Sequence, residues 1–288
     1  MNTGVLLLAH GAPERIEDVP PYLARVRGGQ PVSARVLDEV TSRYAAIGGS
    51  SPLTHWTRVQ AGALERVLGI PVFFGMRNWH PFVQETMEQV RAADVNRLAC
   101  VCLAPQFSEM SVGLYMKHTN AAAAGVELAW AASYPVEPLL VTAFAERLHG
   151  LRGKVLFTAH SLPAPNERYD GEARATASAV AVRLGLTDWE FAYQSQGMSG
   201  GTWLGPTVES CLDRYAAEGV REVVVAPIGF VCDHVEILYD IDVLFRAYAA
   251  QRGIALTRPQ SLNGSPTFTA ALAEVVGQAS WPVQVPTQ

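Results

Sequence analysis

The sequence predicts an α/β protein with two lobes, each built on a parallel β-sheet that helices cover. Short apolar runs alternate with longer amphipathic stretches along the 288 residues, as successive strand–helix–strand units produce. The apolar runs are continuous rather than alternating, which is typical of strands buried on both faces. The same strand motif also occurs in both halves of the chain, which indicates two related lobes.

Strands are predicted where apolar and β-branched residues form short runs, and helices where apolar residues recur at helical spacing. The strands are expected at 4–9, 71–75, 97–104, 127–132, 154–159, 189–194 and 221–227. The helices are expected at 35–46, 54–68, 81–93, 111–124, 138–150, 171–185, 207–218, 234–250 and 267–277.

Two pairs of similar segments define the repeat. The first pair is Val5-Leu-Leu-Leu-Ala-His10-Gly-Ala-Pro13 and Val155-Leu-Phe-Thr-Ala-His160-Ser-Leu-Pro163. The second is Cys102-Leu-Ala-Pro105-Gln-Phe107 and Val225-Ala-Pro227-Ile-Gly-Phe230. One pair could arise by chance, but two pairs in the same order favour duplication. We therefore predict lobes at 1–140 and 141–288, with a helix at about 266–278 that packs back on the first lobe.

The composition excludes several classes of protein. The net charge of −5 and the pI of about 5.8 argue against a nucleic-acid surface, which needs clustered Lys and Arg. Cys100, Cys102, Cys211 and Cys232 do not form a disulfide framework in a chain of this size, and reduced thiols indicate the cytoplasm. No segment approaches the roughly 20 apolar residues that span a bilayer, so we expect no transmembrane segment.

His10 and His160 each end a predicted strand. In open parallel sheets, ligands bind outside the carboxyl ends of the strands. Two facing lobes would therefore place both histidines, and the loops after Pro105 and Pro227, around one cleft. A histidine at such a position can simply cap the strand, but the duplicated placement favours a function. Imidazole can accept a proton near neutral pH or bind a metal ion.

Acidic side chains follow the last predicted strand. Asp233 is placed to cap the next helix, and helical spacing aligns Asp233, Glu236 and Asp240 on one face. Acids in a first turn also complement the helix dipole, which accounts for Asp233 and Glu236 but not for Asp240. Carboxylates beside a histidine from another loop suit the capture of a divalent cation. We therefore predict that His160 and Glu236 carry the chemistry.

Basic and hydroxyl side chains in the first half are candidates for binding an acidic ligand, and they are Arg27, Arg43, Tyr44, Ser51 and Tyr115. Arg43 fits a solvated helix position equally well. The Gly48-Gly-Ser-Ser-Pro52 segment lacks the lysine of a phosphate loop. No Gly-x-Ser-x-Gly elbow is present, which makes a Ser/His hydrolase the least favoured function.

Several stretches resemble the ferrochelatases, and the likeness covers nearly the whole chain. They are Arg43-Tyr-Ala-Ala-Ile-Gly-Gly-Ser-Ser-Pro-Leu53, Gly75-Met-Arg-Asn-Trp79, Ala159-His-Ser-Leu-Pro163, Gln194-Ser-Gln-Gly197, Trp203-Leu-Gly-Pro206 and Gly229-Phe-Val-Cys-Asp-His-Val-Glu-Ile-Leu-Tyr-Asp240. The compact length and two further stretches look most like the bacterial coproporphyrin branch, which makes coproheme from coproporphyrin III. These stretches are Ala104-Pro-Gln-Phe-Ser108 and Ser111-Val-Gly-Leu-Tyr115.

The resemblance implies a chelatase-like fold of two Rossmann-like lobes, with a porphyrin clamped between them and Fe²⁺ inserted into it. His160 matches the invariant histidine of the family and Glu236 matches its partner acid across the ring, so both would act in catalysis and metal binding. Asp240 would belong to a metal relay. The positions that bind the porphyrin edge or its propionates match Arg27, Arg43, Tyr44, Ser51 and Tyr115. Guanidinium and hydroxyl donors suit carboxylates.

Three features depart from the family pattern. His10 stands where the coproporphyrin enzymes have tyrosine and a related cobalt-chelatase group has histidine. We predict that His10 contacts the porphyrin and is a proximal iron ligand, with a strand cap as the alternative. In the family, a row of acidic residues that leads to the site continues beyond the position of Asp240, but the next position of that row is Leu244 here. The chain ends Trp281 to Gln288 without cysteine, so we expect no iron–sulfur cluster and no tightly bound cofactor, since Fe²⁺ is a substrate.

The resemblance also implies the partners of the protein and its rival functions. Coproporphyrin III and Fe²⁺ would be its substrates, and a cytoplasmic monomer would make a transient contact with coproheme decarboxylase. The rivals are a protoporphyrin IX ferrochelatase, a sirohydrochlorin cobalt chelatase, which only His10 favours, and a haem or metal carrier without turnover.

Overall fold

A computed structural model describes residues 2–197 and 200–279 and contains two parallel sheets. The first sheet consists of β1 (Thr3–Ala9), β2 (Val72–Met76), β3 (Arg97–Cys102) and β4 (Glu127–Ala131). The second consists of β5 (Lys154–His160), β6 (Trp189–Gln194), β7 (Glu222–Ala226) and β8 (Ala255–Thr257). Their strand orders, β2-β1-β3-β4 and β6-β5-β7-β8, are the same order repeated. The predicted duplication into two α/β lobes is therefore confirmed.

Helices connect the strands and cover both sheets. The first half contains a 3₁₀ turn (Ile16–Asp18), α1 (Val19–Val26), α2 (Ala34–Ala46), α3 (Leu53–Leu68), α4 (Val83–Ala92), a first π turn (Glu109–Gly113) and α5 (Leu114–Ala122). Helix α6 (Pro138–Leu148) leads to the second sheet. The second half contains α7 (Glu167–Leu184), α8 (Val208–Ala217), α9 (Val235–Leu238), a second π turn (Asp240–Phe245), α10 (Arg246–Ala250) and α11 (Pro266–Gly277).

Several predicted elements were wrong in extent or were missed. The helix predicted at 111–124 begins with the first π turn, at Glu109, and the helix predicted at 234–250 is divided by the second π turn; hydrophobic spacing reveals neither. Helix α7 begins at Glu167 rather than at 171. Helix α1 was missed because two prolines occupy its start, where proline is tolerated because it needs no donated hydrogen bond. Strand β8 has only three residues, too few for a recognisable pattern.

The central strands alternate their side chains between two apolar layers. Val5 and Leu7 of β1 lie in the same core cluster as Phe157 of β5 and Phe268 of α11. Leu6 of β1 points the other way, into the layer formed with α4 and α5. Helix α11 packs against α3 and α6 and reaches β3, so the end of the described chain contacts first-half elements. The proposed boundary at 140/141 falls within α6 and stays a prediction.

Buried amide side chains join the two lobes. Gln60 on α3 donates from Nε2 to the carbonyl oxygens of Val231 and Asn263, at 3.3 and 2.9 Å. Gln106, in the loop after β3, donates to Thr176 Oγ1 at 3.0 Å and to the carbonyl of Ile228, in the loop after β7, at 3.3 Å. The loops that follow Pro105 and Pro227 therefore meet, as the repeat predicted.

The cysteines and the helices agree with two expectations from composition. Cys100, Cys102, Cys211 and Cys232 are all buried and free. Among the helices of residues 2–197 and 200–279, none combines the length and apolar character needed to cross a membrane. The expectation about an iron–sulfur cluster concerns residues 281–288, which lie outside the described residues.

Candidate functional site

His160 ends β5, and its side chain faces that of Glu236 on α9 of the same lobe. The distance from His160 Nε2 to Glu236 Oε1 is 3.3 Å. On the other side of the ring, His160 Nδ1 lies at hydrogen-bond distance from the carbonyl oxygen of Ser161, an acceptor that fixes the proton on Nδ1. The atom that can gain or lose a proton is therefore Nε2, and it points at a carboxylate. The sequence prediction that these two side chains meet is consistent with this geometry.

The charges of the pair reinforce each other. Burial lowers the pKa of His160, but the Glu236 carboxylate and the Ser161 carbonyl outweigh this effect and raise the pKa above its usual value. Burial alone would raise the pKa of Glu236, but the imidazoles of His160, His234 and His10 lower it to about 2. Glu236 is thus ionised at neutral pH and makes His160 a stronger base. The side chains of His160 and Glu236 remain 30% and 36% exposed, so a ligand can reach both.

Polar side chains from neighbouring strands hold Glu236 in place. Gln194, at the end of β6, accepts from Thr158 Oγ1 at 2.7 Å and donates to the carbonyl oxygen of Glu236 at 2.8 Å. His234 caps α9, because its Nδ1 accepts from the backbone N–H of Glu236 at 3.2 Å. Tyr169 donates to the carbonyl oxygen of His160 at 3.0 Å. The strand ends and the helix cap therefore fix the geometry of the pair.

The predicted role of Asp233 as the helix cap was wrong. His234 takes that position, and the Asp233 carboxylate accepts hydrogen bonds from Arg258, Ser261 and Asn263 at 3.2, 2.7 and 2.8 Å. Asp233 is therefore turned away from the face that Glu236 presents to His160. Its role is structural, since it satisfies a largely buried arginine whose side chain is 11% exposed.

Asp240 begins the second π turn and connects the lobes. Its Oδ1 lies 3.7 Å from Arg43 Nη1 on α2, and its Oδ2 accepts from Ser195 Oγ. Burial and the nearby Glu236 charge raise the pKa of Asp240 to about 6, against the opposing effects of Ser195 and Arg43. Arg43 also pairs with Glu39 at 2.6 Å. The reading of Arg43 as a merely solvated residue was wrong. Leu244, further along the turn, is 42% exposed and offers no carboxylate.

His10 directly follows β1 on the wall of the first lobe. The Asn78 amide nitrogen lies 3.3 Å from His10 Nδ1 and 3.0 Å from Nε2. A group this close to both nitrogens cannot lie in the ring plane without overlapping the carbon between them, so the amide lies over the ring face. The in-plane position of each nitrogen is left for another partner. Burial and the charges of Arg77 and His160 lower the pKa of His10 to about 4, so the imidazole is neutral and can bind a metal ion.

Tyrosine side chains line the same wall. Tyr22 lies edge-on to His10, with ring centroids 6.3 Å apart. Tyr44 and Tyr115 are buried, and burial raises the pKa of all three phenols, with the Glu236 charge acting in the same direction. Within the described part of the chain, the Tyr44 hydroxyl has no hydrogen-bond partner. A buried unpartnered donor is costly, and an acceptor that reached this hydroxyl would remove that cost.

Two of the predicted site residues, Ser51 and Arg27, show no contact with the other predicted site residues in the described part of the chain. The Ser51 hydroxyl is buried at the start of α3, where it accepts from the backbone N–H of Leu53 at 3.4 Å. Arg27 is exposed at the end of α1, and only backbone hydrogen bonds are recorded for it in the described residues. Their predicted roles in binding a porphyrin stay predictions.

Other residues of the site were missed at the sequence level. These are Tyr22, Asn78, Ser195, His234 and Trp79, whose ring lies edge-on to that of Tyr22 with centroids 6.3 Å apart. Asn78, Trp79, Ser195 and His234 fall within the stretches that carry the family resemblance, which was the available signal. Tyr22 lies on α1, a helix that was not predicted.

Within residues 2–197 and 200–279, no group of three or more His, Cys, Asp and Glu side chains is placed to hold a metal ion.

Replacing Gly229 with alanine should damage the site by overpacking. A Cβ there would lie 2.7 Å from Cβ and 2.8 Å from Cα of Ala159, the residue before His160. We expect a loss of about 1–3 kcal/mol in the free energy of unfolding, measured in urea. The control is Gly171→Ala on α7, where nothing lies within 4 Å and alanine should be neutral or stabilising. Equal stability of the two variants would contradict the close packing.

The two lobes together have the fold of the chelatases. The structure of SirB from Bacillus subtilis with Fe³⁺ matches this fold with a TM-score of 0.62, covering 96% of this chain and 95% of that one at 10% identity. A SirB structure from Bacillus subtilis subspecies spizizenii in complex with cobalt, described as a sirohydrochlorin chelatase, matches with a TM-score of 0.59. At such low identity, these similarities establish the fold.

The sequence comparisons identify the family. The ferrochelatase family model matches residues 2–280. A ferrochelatase of Acidobacterium capsulatum is 44% identical over 95% of this chain and 93% of its own length. Coproporphyrin III ferrochelatases of Mycobacterium ulcerans and Halalkalibacterium halodurans are 36% and 32% identical, over 92% and 95% of this chain and 83% and 96% of theirs. The chain therefore belongs to the ferrochelatase family.

Proposed function

We propose that the protein inserts Fe²⁺ into coproporphyrin III to form coproheme. The observation that carries the proposal is the His160–Glu236 pair, 3.3 Å apart, in a cleft whose other wall carries His10. Membership of the ferrochelatase family supports metal insertion into a porphyrin as the class of reaction. A flat macrocycle would lie between the two lobes and present its nitrogens to both histidines.

His160 would act on protons. Insertion requires both pyrrole N–H protons to leave while the ring nitrogens bind Fe²⁺, so two protons are released for each Fe²⁺ ion that is bound. Nε2 of His160 is the atom free to accept a proton, and the Glu236 carboxylate stabilises the resulting imidazolium. Glu236 would also hold Fe²⁺ as the ion exchanges water for ring nitrogens. Closure of the lobes would favour a distorted ring, whose nitrogen lone pairs turn toward the ion.

His10 and Asp240 would act on the metal from either side of this pair. His10 is neutral and its in-plane nitrogens are free, which supports its role as a proximal ligand once iron is in the ring. Asp240 lies four residues after Glu236 and is joined to Arg43 and Ser195. It would pass Fe²⁺ inward to Glu236, although no carboxylate follows it at Leu244.

The choice of coproporphyrin III rests on carboxylate-binding groups and on the relatives. The Arg43 guanidinium pairs with the protein's own Glu39 and Asp240 and has further N–H donors that suit a substrate carboxylate, and the Tyr44 hydroxyl would donate to a carboxylate that reached it. Arg27, Ser51 and Tyr115 would contribute at the porphyrin edge. Relatives that carry the name coproporphyrin III ferrochelatase support this substrate. His10 favours a second candidate, a cobalt chelatase that acts on sirohydrochlorin.

A comparison of substrates tests the proposal. Under anaerobic conditions, Fe²⁺ insertion into coproporphyrin III, protoporphyrin IX and sirohydrochlorin would be followed by the absorbance of each tetrapyrrole. We expect kcat/KM for coproporphyrin III to be about 10-fold higher or more, because a site built to hydrogen-bond substrate carboxylates rejects analogues that lack them. Equal use of protoporphyrin IX would contradict the choice of coproporphyrin. Preferred insertion of Co²⁺ into sirohydrochlorin would replace it with the second candidate.

A further inference from the structure

A group of cations lies at the mouth of the cleft on the first lobe. Arg77 follows β2, and its backbone N–H donates to the carbonyl oxygen of Ala9, beside His10. Its Nη1 donates to the carbonyl oxygen of Met110 in the first π turn at 3.0 Å. Arg25 of α1 in turn donates to the carbonyl oxygen of Arg77 at 3.3 Å. The ends of α1 and β2 and the start of the π turn thus converge at Arg77.

We propose that Arg25, Arg77 and Lys117 form a carboxylate-binding edge of the cleft, here called the cationic edge, which recognises substrate carboxylates opposite those bound at Arg43. The proposal rests on the proposed function, since it assumes a porphyrin between the lobes. None of its residues belongs to the group predicted from the family resemblance.

The two arginines of this edge are held by contacts that involve no acidic partner. Arg97 and Arg258, like many arginines of the chain, pair with carboxylates. In the part of the chain that the structure describes, Arg25, Arg77 and Lys117 form no ion pair. The Arg25 guanidinium lies 3.9 Å from the centre of the Phe82 ring, and Arg77 is held by the Met110 carbonyl and by Asn78.

The nearby acids do not neutralise the edge. Glu109, the one acid of the first π turn, folds back over Gly113 within that turn. Glu85 is occupied by His80, at 2.9 Å. Ordered guanidinium groups without a counter-ion, beside an open cleft, are suited to an anionic ligand.

Lys117 lies on α5, which continues directly from the π turn that Arg77 contacts at Met110. In agreement with this placement, the charges of Arg77, Arg25 and Lys117 add to the effect of burial in lowering the pKa of His118. Arg77 donates to Asn78, which lies against His10, whereas Arg43 lies 3.7 Å from Asp240. Arg43 and the cationic edge therefore contact different parts of the cleft. A substrate that satisfies both must carry carboxylates at two edges of the ring, as a tetracarboxylate porphyrin does and a dicarboxylate porphyrin does not.

Equilibrium binding tests this inference independently of turnover. The dissociation constants of coproporphyrin III and of the dicarboxylate mesoporphyrin IX would be measured by fluorescence titration, without metal. Variants would be Arg77→Gln, which could disturb its loop, and the double variant Arg25→Gln/Lys117→Gln, whose positions are exposed. The control is Arg183→Gln, an exposed arginine in the last turn of α7.

We expect both edge variants to weaken coproporphyrin III binding by about 10-fold, with mesoporphyrin IX binding unchanged and the control like wild type. The wild-type preference for coproporphyrin III should also fall with added salt. An unchanged ratio of the two dissociation constants in both edge variants would overturn the inference. Failure of the proposed function is a separate result, because it would appear as absent Fe²⁺ insertion by wild-type protein whatever the binding ratios are.

Discussion

Replacing His160 with alanine is expected to lower kcat for Fe²⁺ insertion by about 100-fold or more, while the affinity for porphyrin stays near that of wild type. In the proposed mechanism the imidazole accepts a pyrrole proton, because its Nδ1 is engaged by Ser161 and its Nε2 faces Glu236. The proposed porphyrin contacts lie mainly elsewhere in the cleft, so the affinity should survive. Anaerobic turnover and a separate binding titration measure the two effects.

The matched control is His149→Ala. His149 is an exposed histidine at the end of α6, so its loss should leave both turnover and binding unchanged. Near-normal turnover in the His160 variant would remove this histidine from the mechanism. Loss of porphyrin binding together with turnover would indicate a binding role instead.

Replacing Glu236 with glutamine is expected to have the second largest effect, a loss of about 100-fold in kcat. The carboxylate raises the pKa of His160 by stabilising its protonated form, so a neutral amide lowers that pKa. Insertion needs His160 deprotonated at the start, so activity falls as the pH drops through the pKa. The acid limb of the kcat/KM profile should therefore move to lower pH in the variant. The activity at pH values above this limb should also be lower in the variant, because His160 is a weaker base and a metal ligand has been lost.

The control for this variant is Asp242→Asn. Asp242 lies on the same helical run but pairs with Arg258 at 2.7 Å and with Arg246 at 3.4 Å, away from His160. Its pH profile should match that of wild type. An acid limb that stays in place when Glu236 is replaced would show that this carboxylate does not govern the titration of His160.

The repeated strand motif made the architecture predictable. Continuous apolar strands predicted parallel sheets, and the matched segments around His10 and His160 predicted two lobes with the same strand order. Both predictions succeeded because the burial of a strand and the position of its end depend on neighbouring residues in the sequence. The same reasoning predicted that Glu236 lies near His160. A helix that follows the last predicted strand must start at the edge of the sheet where the strand that carries His160 also ends. That part of the site depended only on local patterns and on sheet topology.

The errors arise where tertiary contacts decide the conformation. Asp233 has the side chain of a helix cap, but Arg258, Ser261 and Asn263 outcompete that local role. The π turns add a residue to the helical ring of hydrogen bonds, and hydrophobic spacing does not show it. The contact of Arg43 with Asp240 joins two lobes far apart in sequence, so no local pattern could have distinguished it from a solvated arginine.

Multiple-turnover metal insertion tests the central claim most directly. Wild-type protein would be mixed anaerobically with Fe²⁺ and a large molar excess of coproporphyrin III, and the formation of coproheme would be followed by absorbance against a mixture without protein. An enzyme that uses His160 and Glu236 for insertion should convert many equivalents of porphyrin per protein molecule, well above the background rate. Conversion that stops at one equivalent, or that matches the background, would contradict the account and indicate a protein that only binds its tetrapyrrole.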